Sequence, residues 1–162
     1  MGEGSSARQE RGGVIGQRAR EWDIYMEPRR ITVFFYGLFM DVELMRAKGV
    51  NPIDARPGCV PRFALRIGQR ATLEPNDESS AYGIVMELSQ AEIEQLYSEE
   101  SVRAYRPEAV LCELADGSHV PALCFNLVGP TTAGEVNSEY ATKLRELARR
   151  LQLPSDYVET IR

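Results

Sequence analysis

Residues 31–41 read Ile31-Thr32-Val33-Phe34-Phe35-Tyr36-Gly37-Leu38-Phe39-Met40-Asp41, and the fold follows from how this stretch changes character. Ile31 to Tyr36 is apolar at consecutive positions and rich in β-branched and aromatic residues, which suits a central strand buried on both faces. Gly37 breaks it. Asp41 is a good helix N-cap, Leu44 and Met45 share one helical face, and Gly49 is a stop signal, so 31–49 reads strand, glycine loop, short helix.

Working outward, the remaining strands alternate. Phe63, Leu65 and Ile67 interleave with Arg62, Ala64 and Arg66, and Ile84, Met86 and Leu88 form a similar set. Ser89-Gln90-Ala91-Glu92 is a capping box, with Leu88 and Ile93 as its hydrophobic staple and Leu96 continuing the helical face. Val110, Cys112 and Leu114 make another strand, Asp116-Gly117 a hairpin turn, and 119–127 the returning partner. A helix is expected from Ser138 to Leu151, with Tyr140, Leu144, Leu147 and Leu151 on one face and Pro154 ending it. The segments 68–82 and 128–137 read as exposed loops. Strands dominate and do not alternate with helices, so the expectation is an α+β fold with a mainly antiparallel sheet, open to closure into a barrel, rather than a doubly wound parallel sheet.

The domain is expected over residues 30–162. Residues 1–29 hold five glycines and few large apolar side chains, and read as a flexible tail in which Trp22 to Met26 could dock on the domain. The chain has 162 residues, 43% of them apolar and 27% charged, which is ordinary for one globular domain. No apolar run approaches the roughly 20 residues of a membrane span. A net charge of −5 argues against nucleic acid as the main partner. Cys59, Cys112 and Cys124 are widely spaced, and with His119 as the lone histidine they read as reduced thiols of a cytoplasmic protein rather than zinc ligands.

The same scarcity limits the chemistry. A Ser-His-Asp or Cys-His arrangement would have to use His119, which flanks a turn, and no phosphate-binding glycine loop follows a strand. What remains is carboxylate chemistry beside a cradle of backbone amides. Tyr36-Gly37-Leu38-Phe39 leaves a buried strand near a helix start, where amides can hold a carboxylate or an oxyanion. Glu99-Glu100 follows the capped helix, and Tyr105 lies just beyond.

Together these runs resemble the gamma-glutamylcyclotransferase-like family. Phe35 to Asp41 resembles its F-x-Y-G-[ST]-L-M opening. Gly83 to Leu88, the helix, and Leu96 to Val102 resemble G-x-[LV]-[YW]-x-L … L-D-x-x-E-G, and Tyr105-Arg106 resembles the Y-x-R strand entry. The likeness covers about residues 31–158, ending in Leu153-Pro154 and Asp156-Tyr157-Val158. It implies a small mixed, mainly antiparallel β-barrel with flanking helices, and an enzyme that converts a gamma-glutamyl compound to 5-oxoproline and a free amine or amino acid, with no cofactor and no metal. Carried over, Glu100 is the general acid/base, Tyr36, Gly37, Leu38 and Phe39 cradle the substrate, and Tyr105 lines the site. Counting back from Tyr105 selects Glu99 instead. Burial against apolar walls would raise such a glutamate toward working pH. Leu38 stands where the pattern has a small hydroxyl residue. Ser101 replaces a glycine, and a left-handed turn there would strain it. Those departures keep open a non-catalytic module that binds the same carboxylate ligand, and a gamma-glutamyl amide hydrolase also fits.

Overall fold

The computed structural model describes residues 28–162. The flexible tail and the docking of Trp22 to Met26 therefore fall, up to residue 27, outside the described residues. Strand β1 (Arg30–Phe35) leads through a 3-10 turn (Leu38–Met40) into α1 (Val42–Ala47). Two long strands follow, β2 (Ile53–Ile67) and β3 (Ala71–Ser89), then α2 (Gln90–Leu96), β4 (Arg106–Leu114), β5 (His119–Asn126), α3 (Ser138–Arg150) and α4 (Ser155–Thr160). The strands close into a barrel in the order β1-β3-β2-β4-β5. Four of its seams are antiparallel, and the closing one, β1 with β5, is parallel, pairing Val33 with Leu123 and Phe34 with Cys124. The expected α+β barrel with flanking helices is thus the observed fold.

β1 is buried on both faces, for a reason visible in its residues. Phe34 and Tyr36 join Val60, Leu73, Val85 and Cys124 in one core cluster, while Val33 and Phe35 pack with Met86, Leu96 and Leu144 in the other. Successive side chains point to opposite sides of a strand, so this one strand serves the barrel lumen and the helical layer together. Asp41 caps α1 as expected, its Oδ1 accepting from the amides of Glu43 and Leu44 at 3.0 and 3.4 Å. Gly49, at φ 79°, takes the left-handed position past the helix end.

The capping box at Ser89 and Glu92 is present, and its glutamate does more than cap. Glu92 also accepts from the Asn51 amide at 3.0 Å and pairs with Arg30 at 3.1 Å, so it joins α2 to the chain before β2 and to the start of β1.

Three expectations are corrected. Residues 71–82, read as part of a loop, are strand, and β2 begins ten residues before Phe63. The hairpin tolerates its prolines through irregularities: the register slips between Ile53 and Arg56 and between Pro61 and Phe63, where Asp54 and Arg62 adopt φ 55° and 63°. α3 stops at Arg150 because Gln152 turns left-handed at φ 59°, while Pro154 instead heads the unexpected helix α4. Among the described residues no helix is long and apolar enough to cross a membrane.

Candidate active site

A cavity of about 400 Å³ opens where β1 ends, walled by the 3-10 turn, the β2–β3 turn, the segment after α2, and the start of α3. Tyr36, Gly37, Leu38, Phe39 and Tyr105 all line it. In the 3-10 turn the Met40 and Asp41 amides donate to the carbonyls of Gly37 and Leu38. The amides of Gly37, Leu38 and Phe39 come before that turn closes and have no backbone acceptor among the described residues. They are the groups a cradle would use.

Aromatic residues form the inner wall. Tyr97 stacks on Phe125 at 4.0 Å between ring centroids and meets Phe39 edge-on at 5.9 Å. The Tyr36 hydroxyl donates to the Phe125 carbonyl at 2.7 Å, and the Tyr105 hydroxyl donates to the Ala71 carbonyl. With those protons committed to backbone, each oxygen presents lone pairs. Burial raises the pKa of both tyrosines, and for Tyr36 the neighbouring Cys124 and other tyrosines add to it. Burial likewise raises Tyr97 and Tyr140; at Tyr140 the Leu38 amide pulls the other way. Four neutral phenols therefore line the cavity across the physiological range.

Tyr140 was expected only as part of the apolar stripe of its helix. It stands at the start of α3, where Asn137 Oδ1 caps its amide at 3.0 Å, and its hydroxyl presses against Gly37. A Cβ at position 37 would lie 2.7 Å from that oxygen, so the turn admits only glycine without a shift of Tyr140. A tyrosine on an otherwise aliphatic stripe was the one available signal, because a buried hydroxyl needs a polar neighbour.

The structure separates the two glutamates. The amides of Val102 and Arg103 both donate to the Glu99 carbonyl, at 3.1 and 2.9 Å, which winds 99–103 into a helical turn. Neighbouring residues on such a turn point about 100° apart. Glu99 lines the cavity, and its Oε1 lies 2.6 Å from Lys48 Nζ at the end of α1. Glu100 points outward, its side chain 91% exposed and 4.0 Å from Arg103. The carboxylate brought to the cavity is that of Glu99, not of the preferred Glu100. Neither is buried in the way expected, since the Glu99 side chain is itself 45% exposed.

Ser101 is not left-handed, so the anticipated strain is absent. The 128–137 loop does not line the cavity. It is fastened to β3, where Glu74 accepts from both the amide and the hydroxyl of Thr131. From the other expected wall, only Gln69, Arg70 and Ala71 reach the opening.

The five-stranded mixed barrel with flanking helices is the gamma-glutamyl cyclotransferase fold. The AIG2-like family model matches residues 80–161, and the chain belongs to that family. A solved gamma-glutamyl cyclotransferase is similar to it with a TM-score of 0.67 at 16% identity, over 82% of this chain and 86% of that one. An uncharacterized protein from Homo sapiens is similar with a TM-score of 0.67 at 17% identity, over 82% and 86%. YkqA from Bacillus subtilis is similar with a TM-score of 0.65 at 20% identity, over 88% of this chain and 56% of its own. Likeness at such identities is likeness of fold. No curated protein matches the chain.

Proposed function

We propose that this protein is a gamma-glutamyl cyclotransferase-type enzyme that uses Glu99 as its general acid/base. The observation that carries the reading is the placement of one carboxylate, Glu99, on the same cavity wall system as the amides of residues 37–39, which have no backbone acceptor among the described residues. The substrate's α-ammonium gives a proton to Glu99. The freed amine attacks the γ-carbonyl carbon, closing a five-membered ring, and the amides of the 37–39 turn hold the oxyanion that develops. The tetrahedral intermediate then collapses. The bond to the leaving nitrogen breaks, Glu99 returns its proton to that nitrogen, and the extra proton on the ring nitrogen leaves with the amine as its ammonium. The nucleophile is intramolecular and carries a high effective molarity, so the protein supplies none. The sequence of steps calls for no cofactor. Three unpaired thiols suit a reducing compartment, and we place the enzyme in the cytoplasm. Its partner is a small molecule rather than nucleic acid or a membrane.

The test is 5-oxoproline release from gamma-glutamyl amino acids and amines by wild type, Glu99→Gln and Glu100→Gln. We expect Glu99→Gln to lose about 100-fold or more in kcat, the usual worth of a positioned acid/base, and Glu100→Gln to stay close to wild type. The reverse pattern would reinstate Glu100. One observation favours a second reading, a binding module: Glu99 is engaged by Lys48 rather than free. That reading expects ligand binding with no 5-oxoproline from the wild-type protein.

A further inference from the structure

The cavity opens where β1 ends, and the barrel has a second rim at its opposite end. Strand directions place there the first residues of β1, β2 and β5 and the last residues of β3 and β4. Residues paired across a sheet share a face, so the register tells which side chains of this far rim stand on the lumen side. Thr32 and Ile53 both pair with Glu87, Arg56 with Val85, Leu114 with Gly58, and Val120 with Cys112. Val85 and Cys112 belong to the lumen cluster, and Leu114 and Val120 pack on that cluster while only partly buried. Ile53 is 46% exposed. Arg56 Nε is buried with no hydrogen-bond partner among the described residues, and the pairing of its Nη2 with Asp54 Oδ2 at 3.6 Å leaves that N–H unanswered. A buried donor without an acceptor is costly, so the rim joins an uncovered apolar surface to an unmet demand for an acceptor.

The chain enters the barrel at this same rim. β1 begins at Arg30, which pairs with Ser89 at the end of β3. The residues just before it read Glu21-Trp22-Asp23-Ile24-Tyr25-Met26-Glu27, four large apolar side chains set among three carboxylates. Met26 is four residues from Arg30, a reach of up to about 13 Å in extended chain. Ile53 lies two strand spacings from Thr32, about 10 Å. The segment therefore reaches across the rim with β1 left where it is. We propose that residues 21–27 close the far end of the barrel. Their apolar side chains cover Ile53, Leu114 and Val120, and one of their carboxylates accepts from Arg56 Nε. The barrel is then shut at one end by its own chain and open to ligand at the other.

Trp22 is the one tryptophan of the sequence, so fluorescence excited beyond the tyrosine band reports on this segment alone. In the full-length protein we expect its emission to lie to the blue of the urea-unfolded chain, with acrylamide quenching several-fold weaker. Ile53→Asp places a charge on an already exposed position of the rim, and Arg56→Gln removes the guanidinium. Each should move emission and quenching toward the unfolded values while the native circular dichroism persists, and the two are read separately so that either one decides if the other fails to fold. Quenching in the native wild-type protein equal to that of the unfolded chain would overturn the proposal. A shielded Trp22 that neither variant releases would place the segment elsewhere and overturn it as well. Shielding lost on dilution would assign the segment to a second copy of the chain, with the same consequence. Because turnover is not the readout, none of these outcomes depends on the reaction assigned to the cavity.

Discussion

At the scale of single residues, Gly83 and the Glu99-Glu100 pair show two ways in which a sequence can point without explaining. Gly83 belongs to a recognisable run, yet nothing in the run says why it is glycine. In the barrel a Cβ there would overlap the Phe35 carbonyl oxygen and lie 2.9 Å from the Phe34 ring. We expect Gly83→Ala to lower stability by about 1–3 kcal/mol, the cost of overpacking a core, read as a lower urea midpoint at unchanged slope. A midpoint equal to wild type would mean that the β1–β3 seam yields easily. The glutamates were undecidable for a different reason. They lie past the end of a helix, where no hydrophobic period sets a facing direction, and only the turn wound on the Glu99 carbonyl points one inward. Lys48 and Arg70 gave no signal at all, because a cation beside a turn is ordinary until the fold sets it against a cavity.

At the scale of elements, local signals were legible and long-range reach was not. The box at Ser89 and Glu92 could be read from four residues, as could the cap at Asp41 and the Asp116-Gly117 turn. The additional bonds from Glu92 to Asn51 and Arg30 span 41 and 62 residues and leave no local trace. Burial pushes the Glu92 pKa up, but the amides of Ser89 and Asn51 and the Arg30 charge outweigh it, so the carboxyl ends below its ordinary value. The stability it supplies is therefore present above the unfolded glutamate value of about 4.3 and is lost as pH falls through the lower folded value. Glu92→Gln should cost about 1–2 kcal/mol near neutral pH, the range for a cap and a charged hydrogen bond. The deficit should shrink when denaturation is repeated in acid; a deficit independent of pH would assign the loss to packing. The hairpin of β2 and β3 was missed because Pro57, Pro61 and Pro75 are turn-formers in isolation. Bulges let a strand keep them.

At the scale of the whole molecule, the strand-rich pattern sufficed for the class, and β1 sufficed for the doubly buried centre. Closure was less accessible, since the parallel seam of β1 with β5 joins segments 90 residues apart through two residue pairs. The thiols report on that closure. Burial raises Cys112 to about 11 and Cys124 to about 12, while Cys59 is only partly buried and raised by burial and by Glu113. Thiolate is the reactive form, so near neutral pH an alkylating reagent should label Cys59 first. Cys112 and Cys124 should follow together, at a rate that rises with urea as the barrel opens. Mass spectrometry of the labelled chain checks this. Equal labelling of all three in native buffer would show a barrel that breathes freely.

The turn at 37–39 is a wall without side-chain chemistry. Every amino acid except proline carries the main-chain N–H that such a wall offers, so Leu38 can sit where a hydroxyl residue would be expected and the amides remain. Mutation has little purchase on a surface of this kind. It can alter the bend, through Gly37 and the hydroxyl pressed against it, but only proline erases a donor. A wall of this kind tolerates change in its own side chains, and the residues that constrain it are the two that shape the bend, Gly37 and Tyr140.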